Sequence, residues 1–76
     1  MTRGEAMTMA LRNNPGSTSE RLSELTRMSI GIVRRMLRSW IDRGDVVRKC
    51  RWYGGIHEGH TWVYYFADDW EKVRRA

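Results

Sequence analysis

The segment RWYGGIHEGHTWVYYF, residues 51–66, sets His57, Glu58 and His60 between two aromatic runs, with Cys50 directly before it. Three chemistries could use such a set: metal ligation, an aromatic ligand box, or contact by an exposed tip. A structural zinc site needs four N, S or O ligands. This chain offers two His, one Cys and scattered carboxylates without a C-x-x-C pair, so no metal site is expected. Trp62, Tyr64 and Phe66 alternate with Val63 and Tyr65, the pattern of a core-facing strand and not of a ligand box. Trp52 and Tyr53 fit either core packing or stacking on a sugar. Neither histidine has an obvious nucleophile beside it, and no phosphate-cradling loop of the P-loop form is present. Cys50 is expected to serve as a small apolar strand residue. The chain is therefore not expected to be an enzyme, and neither a cofactor nor a small-molecule ligand is expected.

The basic residues point elsewhere. Of 14 Lys and Arg, 12 are Arg, and the formal net charge is +5. The guanidinium fork matches phosphate oxygens and guanine edges. The charge is also uneven. Residues 29–43 carry four Arg against one Asp, and residues 48–66 carry three basic residues against one Glu. The first 16 residues sum to +1, while residues 17–28 and 68–76 are neutral. Positive charge is thus gathered in two places, and the elements there must present it.

Thr2 and Glu5 have capping-box spacing, and Met7, Ala10 and Leu11 share a helical face, which predicts a helix over about 3–13. The turn formers of NNPGS end it. Ser17 and Glu20 repeat the capping-box spacing, predicting a short helix over about 18–26 with Leu22 and Leu25 inward. Ser29 is placed to cap a third helix over about 30–43. Its stripe is Ile30, Val33, Leu37, Trp40 and Ile41, and Gly44 is its stop. At 100° per residue Arg35 falls opposite that stripe, with Gly31, Arg34 and Arg38 flanking it. The period then changes to two. Residues 46–66 predict a hairpin with a loose turn at 54–59. Asp68 and Glu71 again show capping-box spacing, predicting one helical turn in the tail, 68–76.

Size limits what this layout can do. A chain of 76 residues forms one small domain, with room for a helical core and a hairpin but not for a large substrate cavity. With one cysteine there is no disulfide, and the four Trp are expected to supply much of the burial instead. No membrane-span window or signal-peptide pattern occurs, so a cytoplasmic protein is expected, in the host cytoplasm if phage-encoded.

NNPGSTSERLSELTRMSIGIVRRMLRSWIDRGDVVRKC resembles the common core of the winged helix-turn-helix superfamily. It has a Pro-Gly loop, a short helix T-S-x-x-L-x-x-L-T, a Ser-capped helix V-R-R-x-L-x-x-W, then R-G-x-V. CRWYGGIHEGHTWVYYF follows where that family carries its wing, so the likeness spans essentially the whole chain. The size and the short aromatic wing look similar to small bacterial pilus-type regulators and to phage or plasmid repressors. A short winged helix of iron transport is also similar, but carries several cysteines in its wing where this chain has Cys50 alone. The resemblance implies an α+β fold: three helices, a two-stranded wing and a short C-terminal turn. It also implies a sequence-specific regulator of transcription that binds double-stranded DNA, with the third helix in the major groove. On that basis Gly31, Arg34, Arg35 and Arg38 are expected at the groove. Ser17, Thr18 and Ser29 are expected at phosphates near helix starts, and Arg48, Lys49, Arg51, His57 and His60 on the wing. Few contacts per module imply a homodimer or assembly with a second protein, through the tail around Trp70 and Val73 or through helix 1. Two alternatives stand beside this: a winged helix that binds protein, and an architectural or recombination cofactor of phage or plasmid DNA.

Overall fold

Helix starts and stops in this chain are set by side chains that complete the backbone's unpaired groups. The computed structural model describes residues 1–53 and 59–76. They form α1 (Arg3–Asn13), α2 (Ser19–Thr26), α3 (Ile30–Asp42), β1 (Val46–Tyr53), β2 (Gly59–Phe66) and α4 (Ala67–Arg75). The chain is α+β, with three helices preceding an antiparallel hairpin and a fourth following it. This order is compatible with a winged-helix layout. No helix among the described residues is long and apolar enough to cross a membrane.

The Thr2 hydroxyl accepts from the Glu5 N–H at 3.1 Å and the Glu5 carboxylate accepts from the Thr2 N–H at 3.4 Å, which is the expected reciprocal cap of α1. Ser29 caps α3 as expected, accepting from Ile32 N–H. At the other end of α3, Gly44 takes φ +85°. Its N–H donates to Ile41 C=O at 3.0 Å and the Asp45 N–H donates to Trp40 C=O at 2.9 Å, the paired bonds of a Schellman stop.

α2 starts one residue later than predicted. Thr18, not Ser17, is its cap, accepting from Arg21 N–H. Ser17 is drawn away because its backbone bridges to β2: Gly16 N–H donates to Tyr64 C=O at 2.9 Å, and Tyr64 N–H donates to Ser17 C=O at 3.0 Å. The segment between α1 and α2 thereby becomes a one-bridge third strand that fixes the hairpin against the helices.

The core is Met7 and Leu11 of α1, Leu22 of α2, Val33 and Leu37 of α3, Val46 of β1 and Phe66 of β2, with Ala10. Three of the four tryptophans contribute less than expected. Trp40 and Trp70 are half-buried and Trp62 is exposed, so aliphatic side chains and Phe66 fill the centre. Leu25, expected inward, is 38% exposed. α2 has only eight residues and Leu22 takes its central position, leaving Leu25 at the rim beside Met9 and Met1.

The tail differs most from expectation. α4 has nine residues instead of one turn, and its cap is Phe66 with no side-chain bond. Asp68 does not cap. It accepts from Arg12 at 2.7 Å, while Asp69 accepts from the same Nη1 at 2.9 Å. The Arg12 guanidinium also lies 4.0 Å from the Phe66 ring centroid. One side chain thus ties the end of α1 to the start of α4, where carboxylates also suit the helix dipole. Trp70 packs on Tyr65 with ring centroids 5.1 Å apart, so α4 covers the hairpin face opposite the core.

The Arg12 hydrogen bond holds the Asp68 carboxyl below its ordinary value of 3.8. A carboxyl lowered in the fold stabilises it above the unfolded value and loses that contribution as pH falls through the folded one. Arg12→Gln should therefore unfold at lower urea than the parent at pH 7, and the gap should close below pH 3.8. Urea midpoints at pH 7 and pH 3 check this; a gap unchanged at pH 3 would mean the loss is packing on Phe66 alone.

Candidate nucleic-acid interface

β-Strand alternation decides which cations the hairpin can offer to α3. Val46 pairs with Phe66, Arg48 with Tyr64 and Cys50 with Trp62. These residues share one face, whose Val46–Phe66 end closes the core. Val47, Lys49 and Arg51 lie on the other face, with Tyr65, Val63 and Thr61 as their partners. The expected basic group Arg48, Lys49 and Arg51 is therefore split. Arg48 faces α3. Lys49 instead places its ammonium 4.6 Å from the Trp70 ring centroid, on the α4 side. Arg51 is exposed on that same far side.

The Arg48 face meets α3 across an open cleft of about 460 Å³. Arg34, Arg38 and Asp42 succeed one another along its helical wall at intervals of one turn, above Leu37 and Ile41. Arg48 and Tyr64 form the other wall. Three arginines thus line one groove. Arg35 is exposed beside it, and Gly31 is exposed with nothing within 4 Å of where a Cβ would sit.

The arginines are held differently. Arg34 donates to Glu20 on α2 at 3.3 Å. The Glu20 carboxyl is held below its ordinary 4.5 by its own backbone N–H first, and then by the Ser19 hydroxyl and Arg34. Both partners of the pair are more than half exposed, so its energetic worth is small. Its consequence is orientation. Among the described residues, no carboxylate lies within ion-pair distance of Arg35, Arg38 or Arg48.

Thr18 and Ser29 stand at helix starts as predicted, but the two starts differ in charge. Glu20 occupies the first turn of α2, whereas the first turn of α3 has no acidic residue. Ser17 does not join them. It is buried, and its hydroxyl donates to Asn14 C=O, so it presents nothing to a phosphate. His57 and the side chain of His60 lie outside the described residues.

Glu20 and Trp62 touch Arg34 and Arg48 of the cleft, although the sequence marks Glu20 only as a cap partner and Trp62 only as core-facing. Glu20 has the spacing of a cap residue and gives no sign of a partner on α3. Trp62 shares the phase of Phe66, which suggests a core residue. Yet four residues at about 3.3 Å each carry it roughly 13 Å beyond Phe66 along the strand, past the edge of the core. That distance was the available signal.

Comparison of the chain with protein-family models, with curated proteins and with solved structures finds no match in any of the three.

Proposed function

We propose that this chain is a winged helix-turn-helix regulator of transcription that binds double-stranded DNA sequence-specifically, with α3 in the major groove and the hairpin as its wing. The observation that carries this reading is the convergence of Arg34, Arg38 and Arg48 on the cleft between α3 and β1. A helix entering the major groove needs a slim, cationic outer face. Gly31 and Ser29 at the start of α3, followed by Arg34, Arg35 and Arg38, supply one. Arg48 sits where a wing would meet the flanking backbone. Lys49 and Arg51, on the far face, add to the general field and not to that contact.

One module of this kind covers only about 600–1,000 Å² on DNA. The proposal therefore includes two copies on two half-sites, or one copy beside a second protein. With Trp70 packed on Tyr65, the exposed large apolar side chains among the described residues are Val73 on α4, Met1, Met9 and Leu25 around α1, and Trp62 on β2; the first four are the ones offered for self-association.

The test is binding of a fluorescent random-sequence duplex across a range of salt. Each neutralised phosphate contributes about −0.9 to the slope of log affinity against log salt. A slope of about −3 or steeper is expected from the arginines of α3 and Arg48. Absence of binding at low salt would overturn the reading and direct the search to a protein partner.

A further inference from the structure

The hairpin carries a side-chain pair for which neither the core nor the α4 packing accounts. Arg48 and Trp62 are diagonal neighbours on the cleft-facing side, since Arg48 pairs with Tyr64 and Trp62 with Cys50. The Arg48 guanidinium carbon lies 4.1 Å from the Trp62 ring centroid. Trp62 is 45% exposed, so its indole is not spent on the core. We propose that Trp62 is a positioning residue of the nucleic-acid interface, holding the Arg48 guanidinium so that its N–H edges face a DNA phosphate at the mouth of the cleft. This rests on the DNA-binding reading above.

The chemistry follows from the shape of the guanidinium. Its donors lie in the plane of the group, so stacking occupies a face and leaves the donors free. An ion pair instead occupies donors and offsets charge in part, as Glu20 does at one nitrogen of Arg34. Arg48 has no carboxylate within ion-pair distance among the described residues, while its position is restrained by the ring. A flexible arginine must lose rotamer freedom on binding, and an arginine already stacked has lost part of it. The pair presents a charge that is oriented and, among the described residues, unpaired. Trp62 acts through Arg48, so its effect should vanish when Arg48 is absent.

The experiment compares the full chain with W62A, W62F, W62L, R48A and the W62A/R48A double variant on the same random-sequence duplex. Affinities are read across salt, with a thermal melt for each variant. W62A should bind several-fold more weakly with its salt slope unchanged, because the charge on Arg48 remains. R48A should lower the slope by about 0.9. W62F keeps a ring face and should recover most of the affinity, whereas W62L keeps apolar bulk without a ring face and should not. The double variant should bind no more weakly than R48A alone. Losses that multiply in the double variant, or W62L binding like the parent, would overturn the proposal while leaving the DNA-binding reading standing. A parent chain that binds no duplex overturns both.

Discussion

Replacing Arg35 and Arg38 together with Glu should abolish duplex binding and leave the fold intact. The two side chains are exposed on the outer part of α3, and neither has an ion-pair partner among the described residues. Their reversal therefore strands no carboxylate. Arg34 is the wrong choice for this test, because its loss would free Glu20 beside the same surface. A carboxylate at position 38 would face Asp42 one turn further on, at a cost of a few tenths of a kcal/mol. Arginine contacts to base edges are worth about 1–3 kcal/mol each. Under the proposed function, losing two such contacts would lower affinity by roughly thirty-fold to twenty-thousand-fold, before repulsion of the phosphates is counted. Fluorescence anisotropy on a duplex, with circular dichroism melts on the same samples, reads both halves of this expectation. Unchanged affinity with an unchanged melt would remove the outer face of α3 from the interface.

Gly16→Ala should lower stability by about 2–3 kcal/mol, a fall in Tm of roughly 8–24 °C for a domain of this size. Gly16 holds φ +81°, where a side chain adds strain of about 1–2 kcal/mol. The added Cβ would also meet the Tyr65 ring, 2.8 Å from its hydroxyl oxygen and 3.1 Å from Cζ. The Tyr65 ring also packs on Trp70, 5.1 Å between centroids, so moving it away from the Cβ disturbs that contact. The same substitution at Gly31 is the control. Nothing lies within 4 Å of a Cβ there, so Gly31→Ala should leave stability unchanged or raise it by up to about 1 kcal/mol. Under the proposed function it should also weaken DNA binding, because the added methyl stands on the approach side of α3. Equal melts for the two alanine variants would contradict this account of the bridge between Ser17 and Tyr64.

The same bridge shows where the sequence could be followed and where it could not. Helices α1 and α3 were legible because their signals are local. Thr2 with Glu5, Ser29, and Gly44 each act within a few residues of chain, and the apolar stripe of α3 repeats at the helical period. β1 was legible from the change to a period of two, and its bounds match expectation. The start of α2 was not, because Ser17 and Thr18 are equally good caps. The choice between them was made by Tyr64, more than forty residues away, pairing with the Ser17 backbone. The length of α4 was not legible for a similar reason. Its opening residues are fastened by Arg12, more than fifty positions earlier in the chain.

The candidate interface divides along the same line. By itself the sequence determined that positive charge is arginine-rich and concentrated on one helix and one hairpin, since composition and helical phase are properties of the chain. It also determined that Arg35 leaves α3 opposite the stripe of Val33 and Leu37, with Arg34 and Arg38 on one flank. Only the tertiary structure decided that Arg48 faces those arginines while Lys49 turns to Trp70, because strand alternation gives two faces without saying which one meets the core. Only the packing of the hairpin against Ser17 and α4 chooses between them. It likewise decided that Glu20 restrains Arg34 and that Trp62 supports Arg48. Those contacts join residues 14 positions apart in each case, across separate elements, and side-chain geometry at that range is fixed by packing and not by spacing.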